Sequence, residues 1–183
     1  IAIDSSMTPG LQILIARDGK VVYDKNFGHL TYEKKQKVNN NTIYDVASLT
    51  KILVTLPIVM KMVENGDISL NTQLKEILPR YENSNKSDKT IKEILSHFAN
   101  LKSWIPFYKS TLDTINKKPN PLYYRNSVSD KYNIKVTDSL YLLTSYNDSI
   151  NLNIKTSDLN NDRYKYSDLP YYILKEYIEN YYS

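Results

Sequence analysis

The stretch Ala47-Ser48-Leu49-Thr50-Lys51-Ile52-Leu53-Val54-Thr55-Leu56-Pro57-Ile58-Val59-Met60 decides how the rest of the chain is read. It holds the longest apolar run, Ile52 to Met60, introduced by a serine and a lysine at helical spacing. The pattern predicts a helix from Ala47 to about Glu64, closed by Asn65-Gly66, because glycine readily adopts the left-handed conformation that ends helices. Such a helix is apolar on nearly every face, which places it in the centre of a fold. Pro57 should kink it or mark a local break, having no N–H to return to the preceding turn. The run is far shorter than the roughly 20 residues that cross a bilayer, so no transmembrane segment is expected. A spacing of three puts Ser48 and Lys51 on one helix face. A serine at a helix start lies at the positive end of the dipole, where a developing alkoxide or oxyanion is stabilised. A neighbouring lysine left partly neutral by burial can take the serine proton. The bare Ser-x-x-Lys pattern is common by chance, and a helix-capping serine beside a solvated lysine reads it equally well, so the context has to decide.

Upstream, Leu11-Gln12-Ile13-Leu14-Ile15-Ala16 and Val21-Val22-Tyr23 flank Asp18-Gly19. Asp-Gly between two such runs signals a type I′ turn, with φ > 0 at both central residues, and hence a β-hairpin over about 11–28. Two strands alone are marginal in water, so the hairpin should belong to a larger sheet or pack on a helix. Residues 33–41, rich in Lys and Asn, read as a solvated loop. Downstream, Asp67 to Pro79 is a short amphipathic piece. Thr90-Ile91-Lys92-Glu93 is a capping box that starts a helix ending near Ser96. From Asn100 to Asp162 the signal weakens into loops and short helices. Ser167-Asp168-Leu169-Pro170 then opens a helix carrying Tyr171, Ile173, Leu174, Tyr177, Ile178 and Tyr181.

A chain of 183 residues fits one compact domain with a sizeable core. The 24 basic residues are interspersed with 20 acidic ones, and a net charge of +4 without a basic run argues against a nucleic-acid surface. Cysteine is absent, which excludes disulfides, thiolate chemistry and Cys-ligated zinc. His29 and His97 are the only histidines, and nothing orders a Ser-His-Asp partner or a metal site around either. No cofactor is expected. The chain opens at Ile1 without an initiator Met, which is expected of a processed or cut chain. Four glycines, none after Gly66, lead to the expectation that a piece is missing at the C-terminal side.

Thr42-Ile43-Tyr44-Asp45-Val46-Ala47-Ser48-Leu49-Thr50-Lys51 resembles the active-site signature of class C β-lactamases and related penicillin-binding proteins and esterases: a Thr and an aromatic, then Ala-Ser-x-Thr-Lys. Val63-Glu64-Asn65-Gly66-Asp67-Ile68-Ser69-Leu70-Asn71, with a stretch ending Leu78-Pro79, resembles the turn that follows that family's apolar helix, and Pro9-Gly10-Leu11 with the Asp-Gly hairpin its first two sheet strands. Ile91 to His97 resembles its Leu-Leu-x-His segment, and Tyr166-Ser167-Asp168 its second catalytic motif. Trp104-Ile105-Pro106-Phe107-Tyr108 resembles β-lactamase-related modules found behind family 3 glycosidases. The resemblance implies an α+β fold of the β-lactamase/transpeptidase kind, an antiparallel sheet packed against a largely helical lobe over 42–183. It also implies acyl transfer with Ser48 as nucleophile, Lys51 and Tyr166 handling the proton, and Asp168 contacting substrate. Substrates would be β-lactams, peptidoglycan-derived D-alanyl peptides or small esters, in the periplasm or outside the cell.

The chain departs from that pattern in three places. His97-Phe98-Ala99-Asn100-Leu101 lacks the usual Ser-Gly, Pro170 stands where Gly is common, and the third motif, a basic residue shortly before Gly on an inner strand, is absent. The expectation is therefore a single domain, 1–183, incomplete at its C-terminal side and inactive alone for want of the second oxyanion-hole donor. The rival expectation is a non-catalytic envelope scaffold that keeps the fold. An unpaired hairpin edge would recruit another strand and so a dimer.

Overall fold

The Asp18-Gly19 pair carries out its turn as expected: φ is 50° at Asp18 and 74° at Gly19, the left-handed values that a type I′ turn requires. It joins strand β1 (Gly10–Arg17) to β2 (Lys20–Gly28), antiparallel, with Gly10 opposite Gly28 and Arg17 opposite Lys20. The register shifts between Ile15 and Ala16, a bulge that adds twist to an otherwise isolated two-stranded sheet. No side chain fits at the far end of the ladder, where a Cβ on Gly10 would strike the His29 carbonyl and one on Gly28 the Pro9 carbonyl. Leu14, Val21 and Val22 are exposed on this sheet, and each strand keeps one edge unpaired within it.

The computed structural model describes residues 1–183, which divide into two units, Ile1–Ala47 with the hairpin and Ser48–Ser183. The second unit is mainly helical. Lys51–Thr55 winds as a π-helical turn, with the Leu56 N–H reaching back to the Lys51 carbonyl, and α1 (Leu56–Asn65) follows. The break predicted at Pro57 thus falls just ahead of it. Regular α-winding would ask the missing Pro57 N–H to bond Leu53, and the wide turn avoids that demand. Gly66, with φ 81°, ends α1 by donating to Met62 and Val63. The expectation that this helix is enclosed on every side is not met. Only Val59 and Met62 are buried within α1, while Ile52, Leu53, Val54 and Met60 are each more than half exposed, because no segment of Ser48–Ser183 packs over that side.

Next come α2 (Leu74–Ile77), a 3-10 turn (Pro79–Tyr81) and α3 (Ile91–Leu95). The capping box at α3 is complete: Thr90 Oγ1 accepts the Glu93 N–H, and the Glu93 carboxylate accepts the Thr90 N–H at 2.8 Å. Thr90→Ala should cost about 1 kcal/mol, as for other caps, read from the urea midpoint at unchanged slope. Between Asn100 and Asp162, where only loops and short helices were expected, the chain also forms a small antiparallel sheet in the order β3 (Tyr124–Arg125), β5 (Leu140–Leu142), β4 (Ile134–Thr137). Strands this short are set by pairing with neighbours and leave no periodic trace. Helices α4 (Tyr146–Thr156) and α5 (Leu169–Tyr182) complete the unit.

The core gathers Met62, Leu74, Tyr81, Ile91, Ile94, Ile154, Leu169, Ile173 and Leu174, all fully buried. Two charged groups tie its rim. Arg80 pairs with Glu176 on α5, and Lys86, wholly buried, donates to Asn85 Oδ1 at 2.8 Å and to the Lys155 and Ser157 carbonyls at the end of α4. A cation at a helix C-terminus meets the negative end of the dipole, although burial pulls the Lys86 ammonium down to about 8. No helix is long and apolar enough to cross a membrane.

Candidate active site

Lys51 opens the π-helical turn one helical turn beyond Ser48, and its Nζ donates to Ser48 Oγ at 2.9 Å. The same Nζ lies 2.6 Å from Asp168 Oδ1 and within hydrogen-bond reach of the Tyr166 hydroxyl. An ammonium carries three N–H donors, and here three acceptors surround it. The Asp168 approach is short but poorly aligned for a hydrogen bond, so it is an ion pair, and it is the partner of a carboxylate oxygen that is otherwise buried alone. The rings of Tyr166 and Tyr171 flank the charge at 5.3 Å and 5.4 Å from Nζ to centroid.

This arrangement fixes the charge states. Burial works to lower the Lys51 pKa, but the Asp168 carboxylate and the Tyr166 oxygen outweigh it and hold the group above the ordinary lysine value. The Asp168 carboxylate beside it favours the charged form of Lys51, which differs from the partly neutral base expected from the sequence. Tyr166 moves the other way. Hydrogen bonds from Ser48 and then Lys51 hold its phenol below the ordinary tyrosine value, with burial opposing them. The group best placed to accept the Ser48 proton is thus the Tyr166 oxygen. Asp168, expected to contact substrate, has one carboxylate oxygen engaged by Lys51.

Tyr166 is held by the segment it crosses. The Lys165 N–H donates to the His97 carbonyl at 3.1 Å, Ser167 Oγ to the Lys102 carbonyl, and the Asp168 N–H to the Ser103 carbonyl at 2.8 Å. Ser167 Oγ also accepts the Leu169 N–H at 3.1 Å, which turns the chain into α5 with Pro170 in its first turn. Ser48, Lys51, Tyr166 and Asp168 are thereby brought together, and His97 lies beside Tyr166 rather than on Ser48, its ring centroid 4.5 Å from that of Tyr166. Sequence reasoning missed Tyr171 and the Lys102–Ser103 carbonyls. The spacing of three from Asp168 to Tyr171 in a helix was the one available sign of the former, and backbone acceptors leave none. No group of three or more His, Asp or Glu side chains comes together to hold a metal ion.

Comparison with known proteins bears on this constellation. A family model described as Beta-lactamase matches residues 2–137. Protein flp of Staphylococcus aureus is 32% identical over 117 residues, 62% of this chain and 22% of that protein. Esterase EstB of Burkholderia gladioli is 28% identical over 100 residues, 52% of this chain and 25% of that protein. The chain therefore spans about a quarter or less of the length of these curated relatives. Among solved structures, a class C β-lactamase from Rhodobacter sphaeroides superposes with a TM-score of 0.60 at 18% identity, over 98% of this chain and 41% of that one, a likeness of fold.

Proposed function

Because the chain belongs to the Beta-lactamase family, we propose that it forms part of a serine hydrolase working through an acyl-enzyme on Ser48, with a β-lactam, a D-alanyl peptide or a small ester as substrate. The observation that carries the reading is the Ser48–Lys51–Tyr166 contact set, in which the nucleophile, a cation and a phenol of lowered pKa share hydrogen bonds. Tyr166 as phenolate takes the Ser48 proton while Ser48 Oγ attacks the carbonyl carbon. Lys51 stays charged throughout, steadying the phenolate and the serine oxygen. The tetrahedral intermediate collapses with the Tyr166 proton passing to the leaving nitrogen or oxygen, and water repeats the sequence to free the acid. The Ser48 backbone N–H offers one contact to the oxyanion. The reading carries with it a location in the bacterial envelope or outside the cell, which fractionation of the source cells would test.

Incubating the intact protein with a fluorescent penicillin and with p-nitrophenyl acetate tests the proposal. A covalent label, mapped by mass spectrometry to Ser48 and lost in Ser48→Ala, is the expected result. No acylation by either donor would leave the non-catalytic scaffold as the better reading. We also propose that the free hairpin edge pairs with a further strand, so that Leu14→Lys reduces self-association measured by light scattering.

A further inference from the structure

His97 occupies a position that its residue type does not favour. It follows α3 in a Schellman arrangement: the Phe98 N–H bonds the Glu93 carbonyl at 2.9 Å, and the His97 N–H points back to Ile94 at 3.4 Å. The residue at this point is left-handed, with φ 63° at His97, and glycine is the usual occupant. A side chain there costs about 1 kcal/mol or more, so its contacts have to explain its presence. Its Nδ1 accepts the Ser167 N–H at 3.2 Å. A backbone N–H can only donate, so Nδ1 carries no proton, and the neutral ring holds its proton on Nε2. The ring also stacks at 43° on Tyr166, lies 5.9 Å from the Tyr171 centroid, and meets Tyr164 edge-on at 6.4 Å.

We infer that His97 is a positioning residue for this reaction: by accepting the Ser167 N–H and backing the Tyr166 ring, it holds the phenol against Ser48, and its protonation releases that hold. The inference rests on the serine-hydrolase reading above. An imidazolium cannot accept a hydrogen bond at Nδ1, so the two N–H groups would face each other and the Tyr166 loop would lose its clip. The charged groups around the ring are Lys51 from the π-helical turn and Asp168 at the start of α5, with the phenols of Tyr164, Tyr166 and Tyr171 beside them. Burial first and then the Lys51 charge push the imidazole below its ordinary value, against Asp168. Neutral His97 therefore prevails at pH 7, and the hold is lost as pH falls through the depressed pKa.

Three variants of the intact protein separate positioning from mere structure. In His97→Asn, Oδ1 replaces Nδ1 as a non-titrating acceptor. His97→Phe keeps a ring without an acceptor. His97→Gly removes both while relieving the left-handed backbone. Acylation by p-nitrophenyl acetate should fall with a slope of one at acid pH on account of Tyr166 and steepen below the His97 pKa, and Asn should abolish the steepening. Phe and Gly should lose about 10- to 100-fold in kcat at pH 7, the scale of a small misplacement of a reacting group, with KM little changed. Gly should do so with a melting temperature close to that of the wild type. The 15N-labelled Ser167 amide should shift with pH in step with the His97 ring and be indifferent to pH in Asn. Full activity in Gly and Phe, or a Ser167 amide blind to the His97 titration, would overturn the inference. A wild type that never acylates would sink the hydrolase reading, and the amide titration would then decide by itself whether His97 clips the Tyr166 loop.

Discussion

Tyr166→Phe is expected to slow acylation of Ser48 by about 10²- to 10⁴-fold, the usual worth of a positioned general base. The substitution removes one oxygen and keeps the ring that stacks on His97 and flanks Lys51, so the fold should be unaffected. In the wild type the phenol is held below its ordinary pKa, and the proposed mechanism uses the phenolate. Activity should thus rise with pH through the Tyr166 pKa and level off above it, at a pH below that of free tyrosine. The Phe variant should lose this limb along with the rate. Stopped-flow acylation across pH checks both, and a Phe variant with wild-type rate and profile would return the proton to another acceptor.

The second large effect belongs to the ion pair behind the phenol. Lys51→Met should reduce acylation by at least about 10³-fold, since it removes a preorganised cation from the group that carries the developing charge. It also strands Asp168 Oδ1, a buried oxygen whose partner is Lys51. The Asp168 side chain is about half exposed, so screening should hold the stability cost to about 1 kcal/mol. Asp168→Asn provides the opposite test. The carboxylate raises the Tyr166 pKa through its charge, so neutralising it should move the rising limb of the activity profile to lower pH. It should also let the Lys51 pKa fall, since the pairing with Asp168 is the first of the influences holding it up. A limb that moves to higher pH in the Asn variant would show that Asp168 acts by another route.

What could be read beforehand follows the range of the interactions involved. The Asp18-Gly19 turn, the Thr90–Glu93 box and the Gly66 stop each depend on neighbours within a few residues, and each was legible. The convergence of Ser48, Lys51 and Tyr166 was legible through resemblance, since nothing local links positions so distant. The preference of Lys51 for its charged form was not, because it depends on Asp168, more than a hundred residues downstream. The three-stranded sheet escaped because its strands are two to four residues long. The exposed side of α1 was misjudged because apolar periodicity reports what a helix can bury without saying what covers it. The left-handed positions of the second unit are filled by Asn83, His97, Asn100 and Lys117 as well as by Gly66.

The tether of Tyr166 to the His97–Ser103 segment has a consequence for how the protein comes into being. Ser48 leaves the ribosome more than a hundred residues before Tyr166. Closing a flexible loop of that length costs about 4 kcal/mol of chain entropy, which the contacts of α5 must offset before the two side chains meet. Until the start of α5 docks, Ser48 and Lys51 have neither the Tyr166 oxygen nor the Asp168 carboxylate beside them. On the proposed mechanism Ser48 gains Tyr166 and Asp168 only once the start of α5 has emerged, so a shorter growing chain is not exposed to premature acylation. Reactivity of Ser48 towards a labelled ester therefore becomes a clock for the docking of α5 in refolding experiments, and should appear with the slowest folding phase.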